Sequence, residues 1–129
     1  MSAVGLAISD TPPSLNRAGT RGSHWLVSKA KRRWQADLEL LLLGSGLPRG
    51  LQHVSASATL RFPTRRRRDA GNYSWLLEKA LGDALVNGRW LADDTPEFFE
   101  FSGVSFSAES GPHQTIVSLV ATKAAERAA

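Results

Sequence analysis

The sequence predicts an α+β fold of two layers, in which two main helices pack on one face of a mixed four-stranded sheet. Three observations predict it. The length of 129 residues suits a single domain. The composition, 42% hydrophobic and 22% charged, is typical of a chain that folds around an apolar core. Segments with strand-like and helix-like periodicity follow one another along the chain. We assign residues 1–122 to this domain and 123–129 to an Ala-rich C-terminal tail.

The first half of the chain contains one strand, one short extended segment and one helix. Residues 3–8 are predicted to form a strand that ends before Pro12-Pro13, because proline cannot continue a ladder of hydrogen bonds. Residues 25–27 are predicted to form a short second strand or extended arm. A helix is then expected from an N-cap at Ser28 to about Leu43, since its apolar residues recur on one face. That face consists of Ala30, Trp34, Leu38, Leu41 and Leu42.

The second half contains three strands and one helix. Apolar and polar residues alternate from 52 to 62, which is typical of a half-buried strand. A helix is predicted over about 73–86 and is closed by Asn87-Gly88. Residues 95–97 are predicted to form a turn or a single helical turn, 99–106 a strand with a bulge at Gly103, and 115–121 the last strand.

Several classes of protein are excluded by composition. The chain has no cysteine, so disulfides and thiolate metal sites are absent. Its longest apolar run, residues 40–43, is far shorter than the roughly 20 residues that cross a bilayer, so we expect no membrane partner. The first eight residues lack the basic start and apolar stretch of a signal peptide, and we expect a cytoplasmic protein.

The distribution of positive charge favours a phosphate-bearing partner. Lys and Arg number 16 against 12 Asp and Glu, and the pI is about 10.1. Four arginines, Arg65–Arg68, are consecutive, and we call them the arginine run. A nucleic-acid backbone would relieve their mutual repulsion. The alternative is an exposed loop of like charges, and charge alone does not distinguish the two.

Acidic residues in two loops are candidate metal ligands. Asp69 follows the arginine run, and Asp93-Asp94 follows the second helix. Carboxylates beside cations would suit Mg²⁺ or Mn²⁺ bound against a phosphate. The two loops flank one helix and need not be close, and loop acids are more often solvated or capping residues. Lys79 and Asp83, four residues apart, are most simply a surface ion pair.

Histidine and tryptophan provide no comparable signal. None of the three histidines has a ligand at helical spacing, so no histidine metal site is predicted, and these residues are interpreted as incidental. The four tryptophans could stack on bases, but large aromatic residues in a small domain more often belong to the core.

Four ordered motifs together resemble the RusA family of Holliday junction resolvases. They are Pro12–Arg17, Arg65–Asp69, Lys79–Leu85 and Trp90–Asp94. The resemblance extends over nearly the whole chain. It implies a homodimeric endonuclease, common in phages and prophages, that requires Mg²⁺ or Mn²⁺ and resolves four-way DNA junctions by paired nicks.

The resemblance also implies roles for individual residues. Asp69, Lys79 and Asp94 would be catalytic, with Lys79 offsetting charge on the scissile phosphate or the leaving oxygen. The metal would be held by Asp69 and Asp94, with Asp93 and Asp83 as further candidates. The residues implied to bind DNA are Asn16, Arg17, Lys31, Arg32, Arg65, Arg66, Arg67, Arg68 and Asn72.

Two departures from the family pattern leave alternatives open. Gly71 occupies the position of the second aspartate in the family's Asp-x-Asp-Asn motif, so one ligand is missing. Four additional residues separate Asn72 from Lys79. The missing oxygen could come from Asn72, Glu78, Asp83 or Asp93. The chain could instead be a DNA-binding module with weakened or lost catalysis, or a structural phage protein whose basic face is incidental.

Overall fold

The computed structural model describes residues 2–14 and 24–123, which form a four-stranded sheet with two helices packed on one face. This arrangement confirms the predicted fold class. The elements in chain order are β1 (Ser2–Ile8), α1 (His24–Gly44), β2 (Leu51–Arg61), α2 (Gly71–Asn87), β3 (Phe99–Phe106) and β4 (Gln114–Lys123). Neither helix carries an apolar stretch long enough to traverse a bilayer in the part of the chain that is described.

The sheet has the strand order β1-β4-β2-β3. β4 is antiparallel to both of its neighbours, β1 and β2, whereas β2 and β3 are parallel. A parallel pair requires a long crossover, and α2 provides it. The predicted bulge in β3 is confirmed. The register shifts where Ala56 and Ala58 pair with Phe101 and Val104, and Gly103 has a φ of 121°.

The segment predicted as an extended arm is instead the first turn of α1, so the predictions for residues 25–27 and for an N-cap at Ser28 were wrong. The β-branched and aromatic residues of this segment suggested a strand, but such propensities are weak. Val27 lies on the same helical face as the buried residues Trp34 and Leu38, because it precedes Trp34 by seven residues, or about two turns. Trp25 and Leu26 lie outside that face and are exposed.

The core lies between the helices and the inner face of the sheet. α1 contributes Trp34, Leu38 and Leu42, all fully or almost fully buried. α2 contributes a second apolar face, and β2 and β4 contribute alternate residues; among them are Val54, Leu60, Leu77, Leu81, Leu85, Val117 and Leu119. Lys31 of α1 forms an ion pair with Asp83 of α2, which links the two helices above this core.

Strand direction determines which loops meet. β1, β2 and β3 all end at one edge of the sheet, and β4 begins there, because Ile8 and Leu60 both pair with Thr115 while Leu60 also pairs with Phe106. We call this the carboxyl edge. α2 begins at the carboxyl edge and runs back toward the opposite edge, where β3 begins. In open α/β sheets, ligands usually bind outside the carboxyl ends of the strands.

Candidate nucleic-acid interface

A large open cleft of about 1450 Å³ lies at the carboxyl edge. Its walls come from the segment after β1, the loop between β2 and α2, the first turn of α2, the last residue of β3 and the residue that precedes β4. The cleft is lined by Asp10, Thr11, Pro12, Pro13, Ser14, Phe62, Pro63, Thr64, Arg66, Arg67, Arg68, Asp69, Ala70, Asn72, Tyr73, Phe106 and His113. Two of the four family-like motifs therefore meet in this cleft.

The arginine run contains one structural residue and three exposed ones. The guanidinium carbon of Arg68 lies 3.9 Å from the centroid of the Phe62 ring. Its Nη1 donates hydrogen bonds to the carbonyl oxygens of Thr64, at 3.1 Å, and Arg66, at 3.4 Å. These contacts hold the loop in its conformation around the Arg68 side chain. Arg66 and Arg67 are exposed at the cleft, and their charges are available to a phosphate.

Asp69 and Asn72 are brought together at the start of α2. The Asp69 Oδ1 accepts a hydrogen bond of 3.0 Å from the backbone N–H of Gly71, and the Asp69 carbonyl accepts one of 3.1 Å from the N–H of Asn72. This local turn begins the helix. It leaves the Asp69 carboxylate exposed beside the arginines, with the Asn72 side chain on the same cleft.

The opposite wall of the cleft is held by contacts between distant parts of the chain. Arg33 of α1 forms a 2.9 Å ion pair with Asp10, and Thr115 donates a 2.8 Å hydrogen bond to the Asp10 carbonyl. His113 Nδ1 lies 2.9 Å from the Thr11 hydroxyl oxygen. Because Arg33 neutralises Asp10, the cleft charges that have no ion partner within residues 2–14 and 24–123 are those of Arg66, Arg67, Arg68 and Asp69.

Asp94 lies far from Asp69, so the expectation that they share a metal ion within one chain was wrong. Each carboxylate lies beside a different glycine of α2. A Cβ built at Gly82 would lie 3.4 Å from Asp94 Oδ2, and one built at Gly71 would lie 3.5 Å from Asp69 Oδ1. The two glycines are eleven residues apart on α2, or about 16 Å along its axis. Metal–oxygen bonds are only about 2.1 Å for Mg²⁺, so one ion cannot reach both carboxylates.

The sheet leads to the same separation. Phe99, the first residue of β3, follows Asp94 by five positions and pairs with Val54 near the start of β2. The loop that carries Asp69 leaves the other end of β2, after Arg61. A strand of this length separates its two ends by roughly 20 Å or more. The parallel crossover therefore places the two acidic loops at opposite edges.

The other predicted site residues lie outside the cleft. Asp93 is exposed, and its Oδ1 accepts a 2.7 Å hydrogen bond from the Asp94 N–H. Asp83 pairs with Lys31, not with Lys79 as the sequence suggested, so both charges of that pair are used between the helices. Lys79 and Arg32 are exposed on α2 and α1 respectively. Asn16 and Arg17 lie outside the described residues.

The donor set of the cleft suits a cation held jointly with a phosphate. Within residues 2–14 and 24–123, no three His, Cys, Asp or Glu side chains are grouped closely enough to hold a metal ion. The Asp69 carboxylate and the Asn72 side-chain amide both line the cleft, whereas the carboxylate of Asp10, which also lines it, is paired with Arg33. Mg²⁺ commonly uses one or two protein carboxylates with water and substrate phosphate, so Asp69 and Asn72 fit that mode and not an all-protein cage.

Sequence reasoning missed the aromatic side chains of the cleft. It considered the four tryptophans, of which Trp34 and Trp90 are buried in the core, and it treated the histidines as incidental. The rings that line the cleft are Phe62, Tyr73, Phe106 and His113. The available signal was their placement. Phe62 follows β2 and Phe106 ends β3, which are parallel, and His113 directly precedes β4, which is antiparallel to β2 and begins at the same edge.

Comparison with models of known protein families gave no match, and neither did comparison with curated protein sequences.

Proposed function

We propose that this chain binds branched DNA in the cleft and, with Mg²⁺ or Mn²⁺, cleaves the phosphodiester backbone as a Holliday junction resolvase. One observation carries the proposal: exposed Arg66 and Arg67 lie in the same cleft as Asp69 and Asn72, at the edge where three strands end. Cations that bind phosphate and oxygens that bind a divalent metal are thus adjacent.

Each group has a distinct part in this proposal. Arg66 and Arg67 bind backbone phosphates and fix the position of the DNA. Asp69 and Asn72 are the residues that would hold the metal. The metal, when bound, supplies neutralisation of phosphate charge and a more acidic water. Lys79 lies seven residues beyond Asn72 on α2, about two helical turns away, so we assign it to DNA outside the cleft and not to the scissile phosphate.

A second candidate, junction binding without cleavage, is favoured by the small donor set. Gly71 supplies no carboxylate, and Asp94 packs against Gly82 in the C-terminal half of α2, away from the cleft. The cations and the shape of the cleft are the same in both proposals, so both predict junction binding. They differ only in whether a divalent metal produces nicks.

The proposal is tested by junction binding and nicking with a matched pair of double variants. Arg66→Ala/Arg67→Ala removes two charges from the cleft, and Lys29→Ala/Arg32→Ala removes two exposed charges from α1. Log affinity falls as log salt rises. We expect the cleft variant to reduce the magnitude of this negative slope by about 2, since each lost phosphate contact reduces it by about 1. We expect the α1 variant to change the slope by less than half of that.

Two outcomes would redirect the proposal. Equal weakening by both double variants would show that the cleft is not the binding site. Junction binding without symmetric nicks in Mg²⁺ or Mn²⁺ would select the non-catalytic candidate.

Paired nicking also requires two cutting sites on one junction, and a homodimer related by twofold symmetry would supply them. The measurement is the molar mass in solution by light scattering, with and without junction DNA. A mass of one chain per junction would contradict the dimer and with it the symmetric mechanism.

A further inference from the structure

The floor of the cleft consists of four aromatic rings that pack against one another. Phe62 lies 5.6 Å from both Tyr73 and His113, and 6.2 Å from Phe106, measured between ring centroids. Tyr73 and Phe106 are 5.9 Å apart in an edge-to-face arrangement. Such tilted contacts between rings are favourable and fix their orientation. The floor is therefore a preformed apolar surface.

Two of the four rings are available to a ligand. Tyr73 is only 8% exposed and supports the others from below. Phe62 is covered on one face by Arg68. Phe106 is 36% exposed and His113 is exposed, and both line the cleft. Rings that serve only the hydrophobic core are normally covered by other side chains. The exposure of Phe106 and His113 in a cleft therefore suggests contact with a ligand.

The rim of the same cleft carries the exposed cations. Arg66 and Arg67 lie on the loop that passes directly from Phe62 to α2. The volume of about 1450 Å³ exceeds the 300–1,000 Å³ typical of sites for drug-sized ligands. There is room for a nucleotide base on the floor together with the backbone on either side of it.

We propose that Phe106 and His113 form a stacking platform for an unpaired base, while Arg66 and Arg67 hold the phosphates that flank it. This inference rests on the proposed function, because it takes the cleft to be the DNA site. It adds the substrate feature that the cleft selects, which is a base that has left the helical stack.

The preference follows from what a duplex can offer. A paired base inside a duplex is covered on both faces by its neighbours, so it must be unstacked before a protein ring can contact it. A base at a branch point or in a single-stranded arm already has a free face. Stacking on a protein ring is tolerant of base identity, because every base has a π-face. The platform therefore recognises DNA structure and not sequence.

The test measures affinity for four DNA forms of equal length: a four-way junction, a fork with single-stranded arms, a single strand and a duplex. Phe106→Leu keeps the apolar volume but removes the ring, and Phe106→Tyr keeps the ring. Trp25→Leu is the matched control, because Trp25 is an aromatic residue that is 57% exposed on α1, outside the cleft.

We expect Phe106→Leu to weaken binding to the junction, fork and single strand by about 10-fold and to leave duplex binding unchanged. Phe106→Tyr and Trp25→Leu should bind all four forms as the unaltered chain does. In a direct measurement, a photoreactive 5-iodouracil placed in the single-stranded arm should cross-link to the peptide that contains Phe106 or His113. All measurements are made without divalent metal, so cleavage does not affect them.

The outcomes separate this inference from the proposed function. If Arg66→Ala/Arg67→Ala weakens DNA binding while Phe106→Leu changes nothing, or if cross-links map elsewhere, the platform is wrong and the DNA cleft stands. If the arginine variant has no effect on any DNA form, the proposed function itself fails. Equal weakening of duplex and junction by Phe106→Leu would show a structural role for the ring and would overturn the platform.

Discussion

The two ends of α2 carry similar residues in different surroundings. At its start, Asp69 and Asn72 face an open cleft beside exposed arginines. Toward its end, Asp83 is paired with Lys31, and Asp94 and the Phe99 ring both lie against Gly82. The Asp69 carboxylate has no ion partner among the described residues and can bind a ligand, whereas the Asp83 carboxylate links the two helices and Asp94 packs against α2. Residue type alone does not distinguish them.

The largest effect that would test this difference is the loss of one carboxylate at each end. We expect Asp69→Asn to lower junction nicking by at least about 100-fold, since loss of a metal ligand should cost as much as the loss of an outer-shell partner or more. Asp94→Asn should lower it by less than about 3-fold, because Asp94 is too far from the cleft to bind the same ion. The measurement is single-turnover nicking in Mg²⁺.

The circular dichroism and junction affinity of both variants provide the control, and we expect both to match the unaltered chain. A large loss of nicking in Asp94→Asn alone would reverse the assignment and place the chemistry at the far half of α2. Equal losses in both variants would require the partner subunit of a dimer to bring the two loops together.

The next effect is a gain at Gly71. A Cβ there has space, since its one close neighbour among the described residues is Asp69 Oδ1, at 3.5 Å. Gly71→Asp would add a second carboxylate beside Asp69, and an acidic residue in the first turn of a helix is also favourable. We expect the Mg²⁺ concentration for half-maximal nicking to fall by about 10-fold, comparable with the effect of a good ligand-shell contact.

The like charges that this substitution places together repel each other when no metal is present. The thermal stability of Gly71→Asp should therefore respond more strongly to Mg²⁺ than that of the unaltered chain. A Gly71→Asn control keeps the shape but adds no charge and should not show that response. An equal response in both variants would contradict a metal position at the start of α2.

The fold was largely accessible from the sequence, whereas the site was accessible only in part. Apolar alternation in β2 and the helical face that contains Trp34 and Leu38 reflect burial, which leaves a periodic signal in the chain. The proximity of Asp69 to Asn72 is also local, because both lie within one turn. The position of Asp94 depends on the direction of a crossover helix, which no local pattern records.

The aromatic floor was missed for the same reason. Phe62, Phe106 and His113 come from three separate segments, and they meet only because the ends of β2 and β3 and the start of β4 share an edge. The first turn of α1 was missed for a different reason. Its three residues have strand-like side chains, but tertiary contacts of the following helix outweigh that weak preference.

A moderate effect would separate the structural arginine of the cleft from the exposed ones. Arg68→Lys keeps the charge but loses the planar contact with Phe62 and at least one of the two hydrogen bonds to carbonyls, so we expect unfolding free energy to fall by about 1 kcal/mol. Arg67→Lys, at an exposed position, should change it by less than about 0.5 kcal/mol. Chemical denaturation measures both, and equal effects would contradict the distinct role of Arg68.

The smallest expected effect compares two glycines of α2. Replacing a helical glycine with alanine usually stabilises a helix by about 0.5–1 kcal/mol, because glycine loses more backbone entropy on folding. At Gly71 a Cβ meets just Asp69 Oδ1 within the described part of the chain, so we expect Gly71→Ala to raise the unfolding free energy by about 0.5 kcal/mol. At Gly82 a Cβ would lie 3.3 Å from the Cβ of Asp94 and 3.5 Å from the Phe99 ring.

Because Gly82 is buried, those neighbours must move to accept a methyl group, and the cost of this overpacking should cancel the gain in helix propensity. We therefore expect Gly82→Ala to leave the unfolding free energy unchanged or to lower it by about 1 kcal/mol. Thermal and urea unfolding, each at fixed salt, measure both variants. Equal stabilisation by the two alanines would show that Asp94 is not packed against α2 and would leave it free to move toward the cleft.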